Sequence, residues 1–322
     1  MYQFRGVSIN GLFIIEFKNA KINRYFTNNK SDDDISFSFY GGQIYGFVGP
    51  NGAGKTTTMR ILATLDEPTS GDIFVDGVSV VQYPDLVRKM VGYMPDALPA
   101  HRDITVHEDL DFFARAYGLR NPKRDEIVKN IEEFTGLTEF KEKTIVQISK
   151  GMKQRVSLAR AIVHEPAVLV LDEPAAGLDP RARIELRELL KALREQGKAI
   201  LISSHILSEL GEICDGVAFI ERGQLLRAGK IEKIIESMEM RPTTMIRAKN
   251  FDLETLLKLV LEEPMVETAQ IVDDEVAALL TADDDSQLLT SLIAKGVQIA
   301  EFRQHKAHLE DLFLNITKGR LQ

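Results

Sequence analysis

The sequence has almost no cysteine. Cys214 stands alone among 322 residues, which excludes a disulfide framework and a cysteine-built metal cluster. Long hydrophobic runs are also missing. No stretch reaches the roughly 18 apolar residues that a bilayer-crossing helix needs, so a lone channel or permease is excluded. The apolar segment 11–15 (GLFII) is too short for a signal-peptide core, and no small-residue cleavage site follows it. There is no basic excess either. The chain sets 40 Lys and Arg against 48 Asp and Glu, a formal charge of −8. Binding nucleic acid without a basic stripe is unfavourable. What remains is a soluble, cytosolic protein whose length suggests about two domains.

The charge is unevenly spread. Residues 1–230 carry 30 basic and 31 acidic side chains, whereas residues 231–322 carry 10 and 17. This shift puts the predicted boundary near Lys230. Before it, strands alternate with helices. Residues 35–39 (ISFSF) alternate apolar and polar, as a half-buried strand does. Residues 44–48 run into a glycine-rich turn and a helical stretch over 55–63. Residues 73–75, followed by Asp76-Gly77, read as one arm of a hairpin. From Val106 to about His164 the apolar spacing is helical, with Leu110, Phe113 and Tyr117 in one segment and Ile127, Ile131 and Phe134 in the next. Residues 168–171 form a short, fully apolar run, typical of a strand covered on both faces. A helix over 181–196 and strands over 199–203 and 217–220 follow. The predicted class is α/β: a mixed sheet with a parallel core, interrupted by a helical insertion at about 96–164.

Beyond Lys230 the pattern changes to a strand over 244–248, a helix over 253–261, and strands over 268–272 and 276–280. A helix over 287–294 and a strand over 297–302 complete it. That is the order of a split βαβ unit, a ferredoxin-like accessory α+β domain, and a last helix is predicted over 307–317. The acidic clusters 273–275 and 283–285 fall at predicted turns as solvated residues. They lack the ligand spacing and glycine of a calcium loop.

Two motifs carry chemistry. Gly49-Pro50-Asn51-Gly52-Ala53-Gly54-Lys55-Thr56 fits the G-x-x-x-x-G-K-[ST] pattern between a predicted strand and a predicted helix, with Thr57 next in line. Backbone N–H groups of such a loop point at a β-phosphate, aided by the helix N-terminus. Lys55 would neutralise the β- and γ-phosphates, and the Thr56 hydroxyl would ligate Mg2+. At the end of the buried run 168–171, Asp172 and Glu173 emerge where α/β proteins hold their ligands. Asp172 is placed to hold Mg2+, and Glu173 is the candidate base or water-orienting group. Together the motifs predict a nucleoside triphosphatase.

Between them, residues 148–155 (ISKGMKQR) resemble the signature sequence of ABC transporter ATPases, usually written LSGGQ. Ser149 and Gly151 match, while Ile148, Lys150 and Met152 depart. The departures are similar to those of ATP-binding subunits of bacterial drug, antibiotic and polysaccharide exporters. Ala176-Gly177-Leu178-Asp179 resembles that family's D-loop, and His205 its switch histidine. Tyr25, with Phe26 as competitor, stands where the family places an aromatic against adenine. Val91-Gly92-Tyr93-Met94-Pro95-Asp96 aligns with the Q-loop, which normally ends in Gln. Asp96 either keeps the metal contact through a water or serves the turn after proline. Residues 309–317 look like the closing helix of exporter ATPase subunits.

The resemblance covers about residues 14–230 and leaves residues 1–13 as an extension of unclear role. It implies ATP and Mg2+ as cofactors and hydrolysis in a dimer, with Ser149, Gly151 and Asp179 acting on the nucleotide of a second ATPase subunit. It also implies a separate transmembrane permease subunit received at the helical insertion, a place at the inner face of the cell membrane, and export as the work done. The alternative is a soluble, non-transport ABC-type ATPase. A translation-associated relative would carry two ATPase domains in one chain. A DNA-repair relative would show heptad arms or zinc-binding cysteines.

Overall fold

The computed structural model describes residues 14–21, 35–97, 103–204, 206–238, 242–281, 284–305, 309 and 311–313. Residues 1–13, Tyr25, Phe26, His205 and most of the predicted last helix lie outside them. The chain divides into two compact units, Met1–Ile231 and Glu232–Gln322.

In order, the first unit contains β1 (Ile14–Lys21), β2 (Ile35–Tyr40), β3 (Ile44–Val48), α1 (Lys55–Leu62), β4 (Ser70–Val75), β5 (Val78–Ser79), α2 (Pro84–Met90) and β6 (Val91–Met94). It continues with α3 (Val106–Ala116), α4 (Lys123–Phe134), α5 (Lys150–Ile162), β7 (Val168–Leu171) and α6 (Pro180–Glu195). It ends with β8 (Ala199–Ser204), α7 (Leu207–Gly211), β9 (Gly216–Glu221) and β10 (Gln224–Lys230). Six strands form one sheet in the order β10-β9-β3-β8-β7-β6. All neighbours from β9 to β6 run parallel, and β10 closes one edge antiparallel. Every residue of β3, β7 and β8 is buried, as expected of parallel strands covered on both faces.

The sequence reads as one mixed sheet, and the structure adds a second. Strands β2-β1-β4-β5 form an antiparallel sheet of their own. Its hairpin is set by Asp76 and Gly77, both left-handed at φ 51° and 77°, the geometry that a two-residue turn between twisted strands requires. The two sheets share one core. The Phe39 ring lies 5.5 Å from Tyr45, and Phe37 lies 5.9 Å from Phe47.

Helices α3, α4 and α5 make the insertion. Thr105 and Glu108 cap α3 reciprocally, a capping box that satisfies two otherwise unpaired N–H groups. Asp109, fully buried on α3, takes both guanidinium arms of Arg160 on α5 at 2.5 Å each. His164 ties the insertion to β6. Its ring stacks on Tyr117 with centroids 3.7 Å apart, and Nε2 donates to the Val91 carbonyl at 3.1 Å. Burial pushes the His164 pKa down to about 4, so the ring is neutral at ordinary pH.

At the boundary lies α8 (Ile231–Ser237). The second unit then has β11 (Thr243–Ala248), α9 (Leu253–Leu261), β12 (Val266–Val272), β13 (Glu275–Leu280), α10 (Ser286–Ala294) and β14 (Ile299–His305). Its sheet order is β12-β13-β11-β14, antiparallel throughout. Ile246, Leu256, Val260, Val276, Leu288 and Leu292 fill its core. Two details depart from the sequence reading. The last strand starts at Ile299, because Val297 is drawn into the core just after α10. Glu275 is a buried strand residue paired with Arg303 at 2.7 Å, not a solvated turn.

Candidate functional site

Parallel register assembles the site. Val48 pairs with Ser204, Leu171 with Ile202, and Met94 with Leu171. The carboxyl ends of β3, β8, β7 and β6 therefore lie side by side. The segments that follow them, beginning at Gly49, Asp172 and Pro95, leave the sheet along one edge, where open α/β sheets bind ligands.

The loop from Gly49 to Gly54 is shaped by its backbone. Gly49 presses on β9: a Cβ there would sit 2.2 Å from the Ile220 carbonyl oxygen. Gly52 is left-handed at φ 80°, and Gly54 caps α1 at φ 104°. The Ala53 N–H donates to the Pro50 carbonyl at 3.1 Å, and the Gly223 N–H donates to the Ala53 carbonyl at 2.8 Å. Asn51 is exposed at the tip. The curl leaves Lys55 folded back over the loop, where Nζ donates to the Gly49 carbonyl at 2.7 Å and the Pro50 carbonyl at 3.2 Å. Burial lowers the Lys55 pKa, and the nearby Glu173 and Asp172 carboxylates oppose that shift. Thr56 and Thr57 follow on the first turn of α1, the former exposed.

Asp172 is 1% exposed, and its N–H donates to the Met94 carbonyl at 2.8 Å. The Ser203 hydroxyl donates to Asp172 Oδ1 at 2.6 Å and accepts the Glu173 N–H at 2.9 Å. Glu173 itself is left-handed, at φ 49°. Beside them the Tyr93 phenol is pushed up to about 12, first by burial and then by the charges of Asp172 and Asp96. Asp96 is exposed, two residues past β6. These oxygens suit Mg2+, a hard cation that takes one or two carboxylates and fills its shell from phosphates and water. Among the described residues no cluster of three or more His, Cys, Asp or Glu could hold a metal without such help.

A second grouping surrounds two helix starts. The Ser149 side chain caps α5, accepting the Met152 N–H at 3.3 Å, and the Asp179 carboxylate caps α6, accepting the Ala182 N–H at 3.0 Å. The helices meet closely: a Cβ on Gly151 would be 3.1 Å from the Ala182 Cβ. Arg155 of α5 pairs with Glu185 of α6. The Ser204 hydroxyl accepts the Ile206 N–H at 3.0 Å. Ser203 belongs to no motif in the sequence, and Tyr93, though inside the segment that aligns with the Q-loop, is given no role there. Only the strand register brings them to the carboxylates. Between β6 and helices α3 and α5 lies a cavity of about 300 Å³, with Leu65, Tyr93, Pro95, Phe113, Tyr117 and Ser157 in its wall.

A phosphate-shaped loop beside two consecutive carboxylates at a strand end is shared by many nucleotide enzymes, and comparison with known proteins narrows the choice. Residues 33–176 match the family model described as ABC transporter. The Nod factor export ATP-binding protein I of Burkholderia lata is 33% identical over 308 residues, spanning 96% of this chain and 98% of the relative. The chain belongs to the ABC transporter family. A second relative, the linearmycin resistance ATP-binding protein of Bacillus subtilis, is 29% identical, with 89% of this chain and 94% of that one aligned. A solved ATP binding subunit of an ABC transporter superimposes with a TM-score of 0.64 at 29% identity, covering 71% of this chain and 94% of that one. The ABC protein is thus an ATPase built on the α/β fold of phosphate-loop nucleotidases. Among its described residues no helix is long and apolar enough to cross a membrane.

Proposed function

We propose that this ABC protein is the motor subunit of an exporter, hydrolysing ATP to drive a separate membrane-spanning subunit. The observation that carries the proposal is the convergence of Lys55, Asp172 and Glu173 at neighbouring strand ends, together with the side-chain caps of α5 and α6. Relatives named for export and resistance align along nearly the whole chain, which supports the transport reading.

In this reading, residues Gly49 to Thr57 wrap the β- and γ-phosphates with backbone N–H groups. Lys55 exchanges its two carbonyl partners for phosphate oxygens, a stronger charge-assisted bond. Thr56 and Asp172 would hold Mg2+ with help from Asp96, and Tyr25 would stack on the adenine. Mg2+, when bound, neutralises charge on the phosphates. Glu173 accepts a hydrogen bond from the attacking water and takes its proton as the oxygen bonds to the γ-phosphorus. The bond to the bridging oxygen breaks, and ADP leaves with phosphate free. His205 contacts the γ-phosphate. The site is completed by a second ATPase subunit, identical or related, whose Ser149 and Gly151 present the N-terminus of α5 to the transition-state charge. Asp179 lines the same junction. ATP-driven closure of the pair then moves the permease subunit, received at the helical insertion beside the cavity near Tyr93. The assembly sits at the inner face of the cell membrane and takes no nucleic acid.

The test is Glu173→Gln. Expected is loss of hydrolysis by at least about 100-fold, the scale for removing a positioned general base, together with an ATP-bound dimer resolved by size-exclusion chromatography with Mg2+. A variant that stays monomeric and hydrolyses at the wild-type rate refutes the composite site.

A further inference from the structure

One hydroxyl ties the Asp172 carboxylate to the backbone of Glu173. Leu171 and Ile202 are register partners in the parallel β7–β8 pair, so Ser203 lies opposite Asp172, one step past the strand end. Ser203 is fully buried. Its single proton goes to Asp172 Oδ1 at 2.6 Å, and a lone pair accepts the Glu173 N–H at 2.9 Å. A serine hydroxyl has one donor and two acceptor positions, and here the donor is committed to Asp172. Glu173 stands at φ 49°, a left-handed conformation that is strained for any residue with a side chain. The bond from Ser203 therefore holds strained backbone as well as a carboxylate. Strand alternation sends the next side chain to the opposite face, where the Ser204 hydroxyl accepts the Ile206 N–H at 3.0 Å.

We infer that Ser203 is a positioning residue for ATP hydrolysis. It orients Asp172 so that one carboxylate oxygen is left for the metal, and it fixes the backbone from which Glu173 reaches the attacking water. The inference rests on the nucleotide reading above and gives β8 itself, not only the segment after it, a part in the site.

The experiment uses the full chain with Ser203→Ala, Ser203→Thr and Ser203→Val. Thr and Val share one shape and differ in the hydroxyl, so a packing defect strikes both alike. Three quantities are read: kcat, KM for ATP, and the gain in affinity for a fluorescent ATP analogue when Mg2+ replaces EDTA. Expected for Ala and Val is a kcat lower by roughly ten- to hundred-fold, the loss of a hydrogen bond to a charged group. KM and binding in EDTA should stay near wild type, and the Mg2+-dependent gain in affinity should shrink. Ser203→Thr should restore both. Equal losses in Thr and Val overturn the inference, as does wild-type kcat and metal response in Ala and Val. Glu173→Gln run alongside separates the two readings. If the wild type hydrolyses ATP and Glu173→Gln does not, retained activity in Ala and Val removes the Ser203 role alone. A wild-type chain that hydrolyses no ATP removes both.

Discussion

Two glycines of the phosphate loop are required for different physical reasons, and alanine at each separates them. At Gly49 the requirement is space. A Cβ would lie 2.2 Å from the Ile220 carbonyl oxygen and 3.0 Å from the Ala53 Cβ and the Ile220 Cγ2. An ordinary C···O approach is about 3.3 Å, so the backbones would have to part by roughly 1 Å. Little freedom exists for that. β3 and β9 are in register up to Val48 and Phe219, and the Gly223 N–H holds Ala53 from the far side. The cost is about 3 kcal/mol or more, the upper range for overpacking. At Gly52 nothing lies within 4 Å of an added Cβ, but φ is 80°. The cost there is the left-handed term alone, about 1–2 kcal/mol. Each kcal/mol moves the melting temperature of a domain this size by about 2–4 °C. Gly49→Ala should therefore melt about 6–12 °C below wild type, and Gly52→Ala about 2–8 °C below. Scanning fluorimetry gives the order, and titration with an ATP analogue adds a second reading. Gly49→Ala should lose nucleotide affinity as well, because Lys55 is anchored to the Gly49 carbonyl. A Gly49→Ala chain that melts with the wild type and binds nucleotide equally well refutes the steric argument.

Two further outcomes follow from the site's surroundings. His164 has its pKa lowered from 6.5 to about 4 by burial, so the native state binds fewer protons than the unfolded chain between those values. Its contribution is fully present above pH 6.5 and is lost as pH falls towards 4, by about 3 kcal/mol in all. In His164→Phe, which keeps a ring against Tyr117, that part of the pH–stability curve should flatten. Parallel curves for the two chains would refute the assignment. Asp96→Ala should raise the Mg2+ concentration that half-saturates ATP hydrolysis, and Asp96→Gln should restore it. Unchanged Mg2+ curves would leave Asp96 as a turn residue only.

The legible parts of this protein are those written in consecutive residues. The loop from Gly49 to Thr56 needs eight neighbours in sequence, and the pair Asp172-Glu173 needs the apolar run just before it. Strands β3 and β7 are found at their predicted limits for the same reason: each is a short buried run between clear breaks. The accessory unit's order of strands and helices is likewise visible, since its apolar periods alternate cleanly. What escaped depends on register between distant segments. Ser203 looks like any polar strand end until β8 is laid beside β7. Tyr93 looks like part of a loop until β6 joins the sheet edge. The four-stranded sheet is indistinguishable from the parallel one in the sequence because pairing direction leaves no mark on composition, and β5 is only two residues long. Glu275 looks like a turn residue in the sequence because its partner Arg303 lies 28 residues away.

The contact between α5 and α6 has an evolutionary consequence. Gly151 and Ala182 face each other with room for no more than one methyl group between the backbones, and Arg155 and Glu185 lock the same pair of helices further along. Ser149 and Asp179 cap these helices, so neither cap can be displaced without carrying the other. A lineage that enlarged residue 151 would shift both helix caps at once. Its compensation would have to arise at residue 182, outside any recognised motif. Divergence of the two positions should therefore be paired, and a chimera that swaps the signature segment alone would inherit half of a matched joint.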